Sequence, residues 1–154
     1  MLVARVNMPG EAMCLVEVPI PEIEHDEVLI RIAACGVCHS DLHIVDGDWS
    51  VNGFPKIPGH EVAGIVERVG ATVTDVKVGD RVGVPWVYST CGRCEACAAG
   101  DDPLCPEKKI TGMMMPGGFG EYMKAPERSV VKIPEGLSLA AAAPLFCAGL
   151  TSFS

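Results

Sequence analysis

The chain lacks several features that would point to a function at once. It has no cluster of Lys and Arg: twelve basic residues stand against twenty acidic ones in 154, a formal net charge of −8. A surface of that sign repels polyanions, so nucleic acid and anionic membranes are poor partners. It has no hydrophobic run long enough for a bilayer. The longest, Leu137–Leu150, has fourteen residues and carries Pro144, whereas a spanning helix needs about 20. The N-terminus, MLVARVNMPGEAM, shows no charged leader followed by an apolar stretch, so no secretory signal is expected. Internal repeats and low-complexity linkers are also missing. The expectation is a soluble, cytoplasmic chain of ordinary one-domain length.

What is present favours strands. Hydrophobic residues make up 49% of the chain, enough for a sizeable core, and 17 glycines and 12 prolines are spread along it. That spacing suits turns and short strands better than long helices. Val3–Val6, Met13–Val18, Val28–Ala34, Val62–Val69, Arg81–Pro85, Tyr122–Ala125 and Val130–Ile133 are rich in Val and Ile, and turn residues usually bound them. EVAGIVERVG, Glu61–Gly70, partly alternates as a half-buried strand does. Ser138 is placed to cap a helix in the apolar run that follows it. The expected fold is mostly β and barrel-like, with short helices. The last residues, Leu150-Thr151-Ser152-Phe153-Ser154, follow that run without a polar cap and read as a chain cut short.

Four of the eight cysteines, Cys91, Cys94, Cys97 and Cys105, fall within fifteen positions as C-x2-C-x2-C-x7-C. Cysteines three apart do not pair easily, and a reducing compartment disfavours disulfides. Four thiolates so placed can surround one Zn²⁺ tetrahedrally and leave no open position, so such a zinc is structural. Its binding free energy becomes folding free energy for a loop with little core of its own. Unligated thiols or a redox pair remain the alternative.

Three further stretches carry ligand types: GVCHSDLH (Gly36–His43), PGHE (Pro58–Glu61) and LFCAGLT (Leu145–Thr151). Cys38, His60 and Cys147 would make a three-ligand set with a fourth position free. By spacing alone the case is weak, because a lone Cys or His is more often packing, and Cys147 sits in an apolar run.

These motifs, in this order and with the four-cysteine lobe between them, resemble the zinc-dependent medium-chain alcohol dehydrogenases. The resemblance runs over nearly the whole chain and implies the GroES-like catalytic domain of that family. It implies a catalytic zinc on Cys38, His60 and Cys147 and a structural zinc on the lobe, two zincs per chain. The catalytic zinc would acidify a bound alcohol as a Lewis acid. Asp41 matches the carboxylate that orients the histidine ligand, and Glu61 matches a buried acid close behind the metal. Ser40 matches the hydroxyl that meets the alcohol oxygen, and His43 the outer end of a proton relay, a task suited to a side chain that titrates near physiological pH. His39 matches a cofactor-facing basic position. Trp49 and Trp86 match aromatic residues that narrow the pocket for small primary alcohols. Cys14 and Cys35 match nothing and read as buried thiols. Met113-Met114-Met115-Pro116 departs from the family pattern.

The implied reaction needs NAD or NADP as hydride acceptor. Gly118 and Gly120 give G-x-G, but Met123 stands where a third glycine belongs, and no strand–glycine-loop–helix unit follows. The resemblance implies that the dinucleotide-binding domain lies beyond residue 154 in the full-length enzyme. The expected parent activity is reversible oxidation of a primary alcohol to an aldehyde. Two readings stand beside it: a catalytically silent zinc-binding domain, and a chaperonin-like barrel with only the lobe zinc. Homo-oligomers are open to the chain through its apolar C-terminal run.

Overall fold

The computed structural model describes residues 1–49 and 53–153. Leu2–Arg5 (β1) and Cys14–Glu17 (β2) form an antiparallel pair in the register Leu2↔Glu17. The main sheet has five antiparallel strands. Glu27–Gly36 (β3) pairs with Glu61–Val69 (β4), and β4 with Arg81–Val84 (β5). Val87–Ser89 (β6) and Lys109–Ile110 (β7) form a separate small ribbon at the base of the cysteine lobe. Tyr122–Pro126 (β8) and Val131–Lys132 (β9) complete the main sheet in the order β8-β3-β4-β5-β9. The expectation of a mostly-β fold with short helices holds, and among the described residues the three sheets do not close on one another. Single bridges, Val3↔Gly120 and Val6↔Lys56, dock the first hairpin on the rest.

The main sheet is buried on both faces near its centre. One face carries Val28, Ile30, Val62, Val66, Val82, Val84 and Met123. The other packs Ala63 against Ile133, Ala142 and Ala143, with Phe146 beside them. This explains why Glu61–Val66 reads as only partly alternating: its first residues face apolar partners on both sides, and only Glu67–Val69 reach solvent. Alternation is clean in β8, where Met123 and Ala125 point inward and their neighbours do not.

Ser138 does cap the C-terminal apolar run: the Ala141 amide donates to its Oγ at 3.2 Å, opening Leu139–Ala142 (α3 below). Pro144 then removes a donor and crowds the preceding turn. The chain tightens to a 3₁₀ turn over Ala143–Phe146, bends at Cys147 (φ −138°, ψ −76°), and resumes as Ala148–Phe153 (α4). The proline therefore sets Cys147 at a corner between helical pieces. Two more helices precede these: His39–Asp46 (α1) and Glu95–Ala99 (α2), each closed by a left-handed glycine, Gly47 and Gly100. No described helix is long and apolar enough to cross a membrane.

Candidate functional site

The first centre is built by three separated segments. Cys38 is the N-cap of α1, Glu61 opens β4 and His60 immediately precedes it. Cys147 comes from the Pro144 bend. Ligand atoms of Cys38, His60, Glu61 and Cys147 all lie within 4.8 Å of one another. The two sulfurs are 3.8 Å apart. That is too far for a disulfide, whose sulfurs are about 2.05 Å apart. It matches the roughly 3.8 Å expected between two thiolates that each sit about 2.3 Å from one tetrahedral Zn²⁺.

Asp41 organises the group. Its side chain is 2% exposed, and it accepts three hydrogen bonds: Cys38 N at 2.9 Å, Gly59 N at 2.9 Å and His60 Nδ1 at 3.1 Å. A carboxylate only accepts, so the proton of the His60 ring sits on Nδ1. Nε2 is then a bare lone pair. It is fully buried and has no hydrogen-bond partner. A buried acceptor left so costs free energy unless something occupies it. A metal ion shared with the two sulfurs answers that need.

The local charge state agrees. Burial opposes ionisation of the Cys38 thiol, but hydrogen bonds from Ser40, its amide first, pull the other way and the net shift is down. Burial and the neighbouring Cys38 push Cys147 up to about 12. Burial also disfavours a charged His60 ring, yet Asp41 and Cys38 carry the balance upward. The two thiols thus differ, Cys38 shifted towards ionisation and Cys147 away from it. Glu61 is 2% exposed, and its Oε1 accepts the Ala148 amide at 3.1 Å, which anchors the corner that carries Cys147. A Cβ on Gly36 would fall 1.9 Å from Glu61 Oε2, so only glycine leaves that carboxylate its room. Gly59 is equally constrained, by a φ of 95° and by the Phe119 amide 2.8 Å from where a Cβ would stand.

Beside this centre lies a cleft of about 380 Å³. Ser40, Trp86, Phe146, Cys147, Leu150 and the lobe residue Pro103 line it. Ser40 and His43 share one face of α1 by their i, i+3 spacing. His43 is half-exposed; its Nδ1 lies 2.8 Å from Asp48 Oδ2, and its ring stacks on Trp49 at 4.9 Å between centroids. Trp49 meets Trp86 edge-on at 6.1 Å, and Trp86 meets the His60 ring at 4.7 Å. Trp86 lines the cleft directly and Trp49 does not. His39 is exposed, 4.6 Å from the His43 ring. Phe146, Leu150 and Pro103 carried no sequence signal beyond their closeness to Cys147 and Cys105.

The second centre is the lobe. Ligand atoms of Cys91, Cys94, Cys97 and Cys105 also cluster within 4.8 Å. Sulfur separations of 3.5 Å for Cys94–Cys97 and 4.0 Å for Cys91–Cys97 again exclude a disulfide. Amides of Arg93 and Cys94 pull the Cys91 thiol down to about 6. Between Cys91 and Cys105 only Cys105 is buried, and Leu104 is 70% exposed. The lobe therefore has no apolar core. Arg128 ties it to the main body through Thr90 Oγ1, at 3.0 Å. The remaining cysteines, Cys14 and Cys35, are half-buried rather than buried. Cys14 Sγ contacts the Asn7 amide and Arg5 O along the hairpin edge, and desolvation pushes Cys35 up to about 12.

Residues 24–135 match the model of the alcohol dehydrogenase GroES-like domain. An alcohol dehydrogenase of Geobacillus stearothermophilus is 53% identical over 138 residues, which is 89% of this chain and 41% of that protein. The crystal structure of the alcohol dehydrogenase of Aeropyrum pernix superposes with a TM-score of 0.91 at 36% identity, over 99% of this chain and 46% of its own. The structure of CAD from Helicobacter pylori, complexed with NADP(H), does so with a TM-score of 0.92 at 29% identity, over 99% of this chain and 46% of its own. The chain spans less than half the length of these relatives.

Proposed function

The chain belongs to the zinc-dependent medium-chain alcohol dehydrogenase family, matching its GroES-like domain, and from that premise we propose that it supplies the metal-binding and proton-transfer half of an NAD- or NADP-linked oxidation of a primary alcohol to an aldehyde. The observation that carries this reading is the buried, unpartnered His60 Nε2 facing two thiols beside a cleft that holds a hydroxyl. In this reading Cys38, His60 and Cys147 hold a catalytic zinc, and Cys91, Cys94, Cys97 and Cys105 hold a structural one. Zinc on three protein ligands supplies Lewis acidity to a substrate oxygen.

The chain's own residues do the rest. Asp41 locks the His60 tautomer. Glu61 keeps the Cys147 corner in place from behind the metal. Ser40, in the cleft wall, takes the hydroxyl proton of the substrate, and His43, half-exposed and paired with Asp48, passes it towards solvent. Trp86, Phe146 and Leu150 exclude water and hold the carbon chain of a small alcohol, with Trp49 bracing Trp86. His39 faces outward for the cofactor pyrophosphate. The nicotinamide is bound by the part of the relatives' length that this chain does not span. A cytoplasmic setting and association between copies of the chain belong to the same proposal.

Ser40→Ala is the direct test. In a protein carrying this sequence at the relatives' full length, kcat for a primary alcohol should fall by roughly 10²–10⁴, with zinc content unchanged. Ser40→Thr, which keeps a hydroxyl, should recover part of the loss. An unchanged kcat in Ser40→Ala would remove Ser40 from the relay. Absence of any NAD- or NADP-linked turnover by the unmutated protein would favour the silent zinc-binding domain instead.

A further inference from the structure

The Met113–Pro116 run takes no part in the cleft. It forms a tight turn: the amides of Met114 and Met115 donate to Ile110 O at 2.9 and 3.0 Å, and Gly112 N donates to Met115 O at 2.8 Å. That turn sets Met115 against an apolar cavity of about 200 Å³, walled by Val3, Val18, Ile57, Tyr88 and Met123. The cavity shares no lining residue with the cleft. A second chamber of about 230 Å³ adjoins it, with Val18, Ile57, Met115 and Pro116 lining both. The second chamber adds Met114 and two cations, Arg5 and Lys56.

Those two cations, far apart in sequence, both line this chamber. Val6 and Lys56 form an antiparallel bridge, each amide donating to the other's carbonyl at 2.9 Å, and Arg5 precedes Val6. In a chain of net charge −8, basic groups readily find acidic partners. Among the described residues neither of these has one. Arg5 Nε donates to the neutral Asn7 Oδ1 at 2.9 Å, and Lys56 Nζ lies 6.0 Å over the Phe54 ring. Both side chains are half-buried. Burial pulls the Lys56 ammonium down from its ordinary value, a cost that a bound anion would relieve.

We propose that this two-part cavity binds a small amphipathic carboxylate, its hydrocarbon tail in the Val3–Tyr88–Met123 chamber and its carboxylate between Arg5 and Lys56. An apolar cavity of about 150 Å³ is enough to accept benzene, so the first chamber has room for a short tail. Methionines at the junction adapt their shape to the tail. The Arg5 guanidinium offers a fork that matches a carboxylate.

The methionines also supply the readout. With ¹³C-methyl methionine, titration with hexanoate should move the Met1, Met114, Met115 and Met123 methyl signals and leave Met8 in place. Arg5→Gln and Lys56→Gln should each weaken hexanoate binding about tenfold or more, since each removes a hydrogen bond to a charged group. Lys56→Arg should retain binding and shows that the site still folds. Uncharged methyl hexanoate should bind at least tenfold more weakly than hexanoate. The proposal is overturned if hexanoate moves none of the four methyls, or if Lys56→Gln binds it as well as the unmutated chain. Equal binding of methyl hexanoate would reduce the site to an apolar cavity, and equal binding of inorganic phosphate to a bare anion site; either rejects the carboxylate amphiphile.

Discussion

Asp41→Ala should strip the metal from the Cys38–His60–Cys147 centre and destabilise the fold, on the order of 3–6 kcal/mol, because three donors lose one acceptor and each buried unmet donor costs about 1–3 kcal/mol. Gly59 N and the His60 ring are buried, so water cannot easily replace the carboxylate. Cys38 N, at the helix start, is the cheapest of the three to rehydrate. The Nδ1 proton of His60 is then unheld, the ring is free to turn, and Nε2 no longer points at the two sulfurs. Loss of such a supporting partner typically lowers metal affinity by roughly 10–100-fold. Asp41→Asn should fall between the two proteins. Its carbonyl can still accept from Gly59 N and His60 Nδ1, but its amide meets Cys38 N as donor against donor. Thermal unfolding with zinc analysis on the same samples checks both halves. A metal-replete Asp41→Ala with unchanged melting would show that Asp41 neither holds the ligands nor supports the fold.

Cys105→Ser should unfold the lobe while leaving the main sheet intact. Binding of structural zinc is worth about 10–16 kcal/mol in small zinc domains, and this lobe has nothing else of that size. Its residues are exposed or half-buried apart from Cys105. The Arg93–Glu107 and Arg128–Asp102 pairs are solvent-exposed, and pairs of that kind contribute about 0–1 kcal/mol. Hydrogen exchange should therefore lose protection across 91–105 and keep it across β3, β4 and β8, whose core residues are fully buried. Chelation of the unmutated chain should give the same map. Pro103 lines the cleft, so a disordered lobe also opens one wall of the substrate site. Retained protection across 91–105 in Cys105→Ser would mean that the lobe folds without its metal.

The sequence carried more of the site than of the fold's outline. Both cysteine-containing centres were legible, the lobe from spacing alone and the other only through order and resemblance. Nothing in the spacing of Cys38, His60 and Cys147 says that they meet. Their meeting depends on the β3–β4 pairing and on the Pro144 bend, which are tertiary facts. Seven strands were legible because Val and Ile mark them. The β6–β7 ribbon was not, since VYS and KI are too short to show a period. Helix α1 was also hidden. In HSDLHIVD the buried residues are Asp41 and Ile44, so it has almost no apolar stripe, and its ends are marked only by the Cys38 cap and the closing Gly47. The cavity under Met115 had no sequence signal apart from the methionine run itself, because Arg5 and Lys56 are far apart in sequence and line one chamber only in the folded chain.

Zinc per chain by elemental analysis decides whether this one chain holds two separate metal centres. Two zincs are expected in the purified protein and one in Cys38→Ser, whose lobe cysteines are untouched. One zinc in both proteins would contradict that: the lobe alone would then be metallated, and the buried lone pair of His60 would need another explanation.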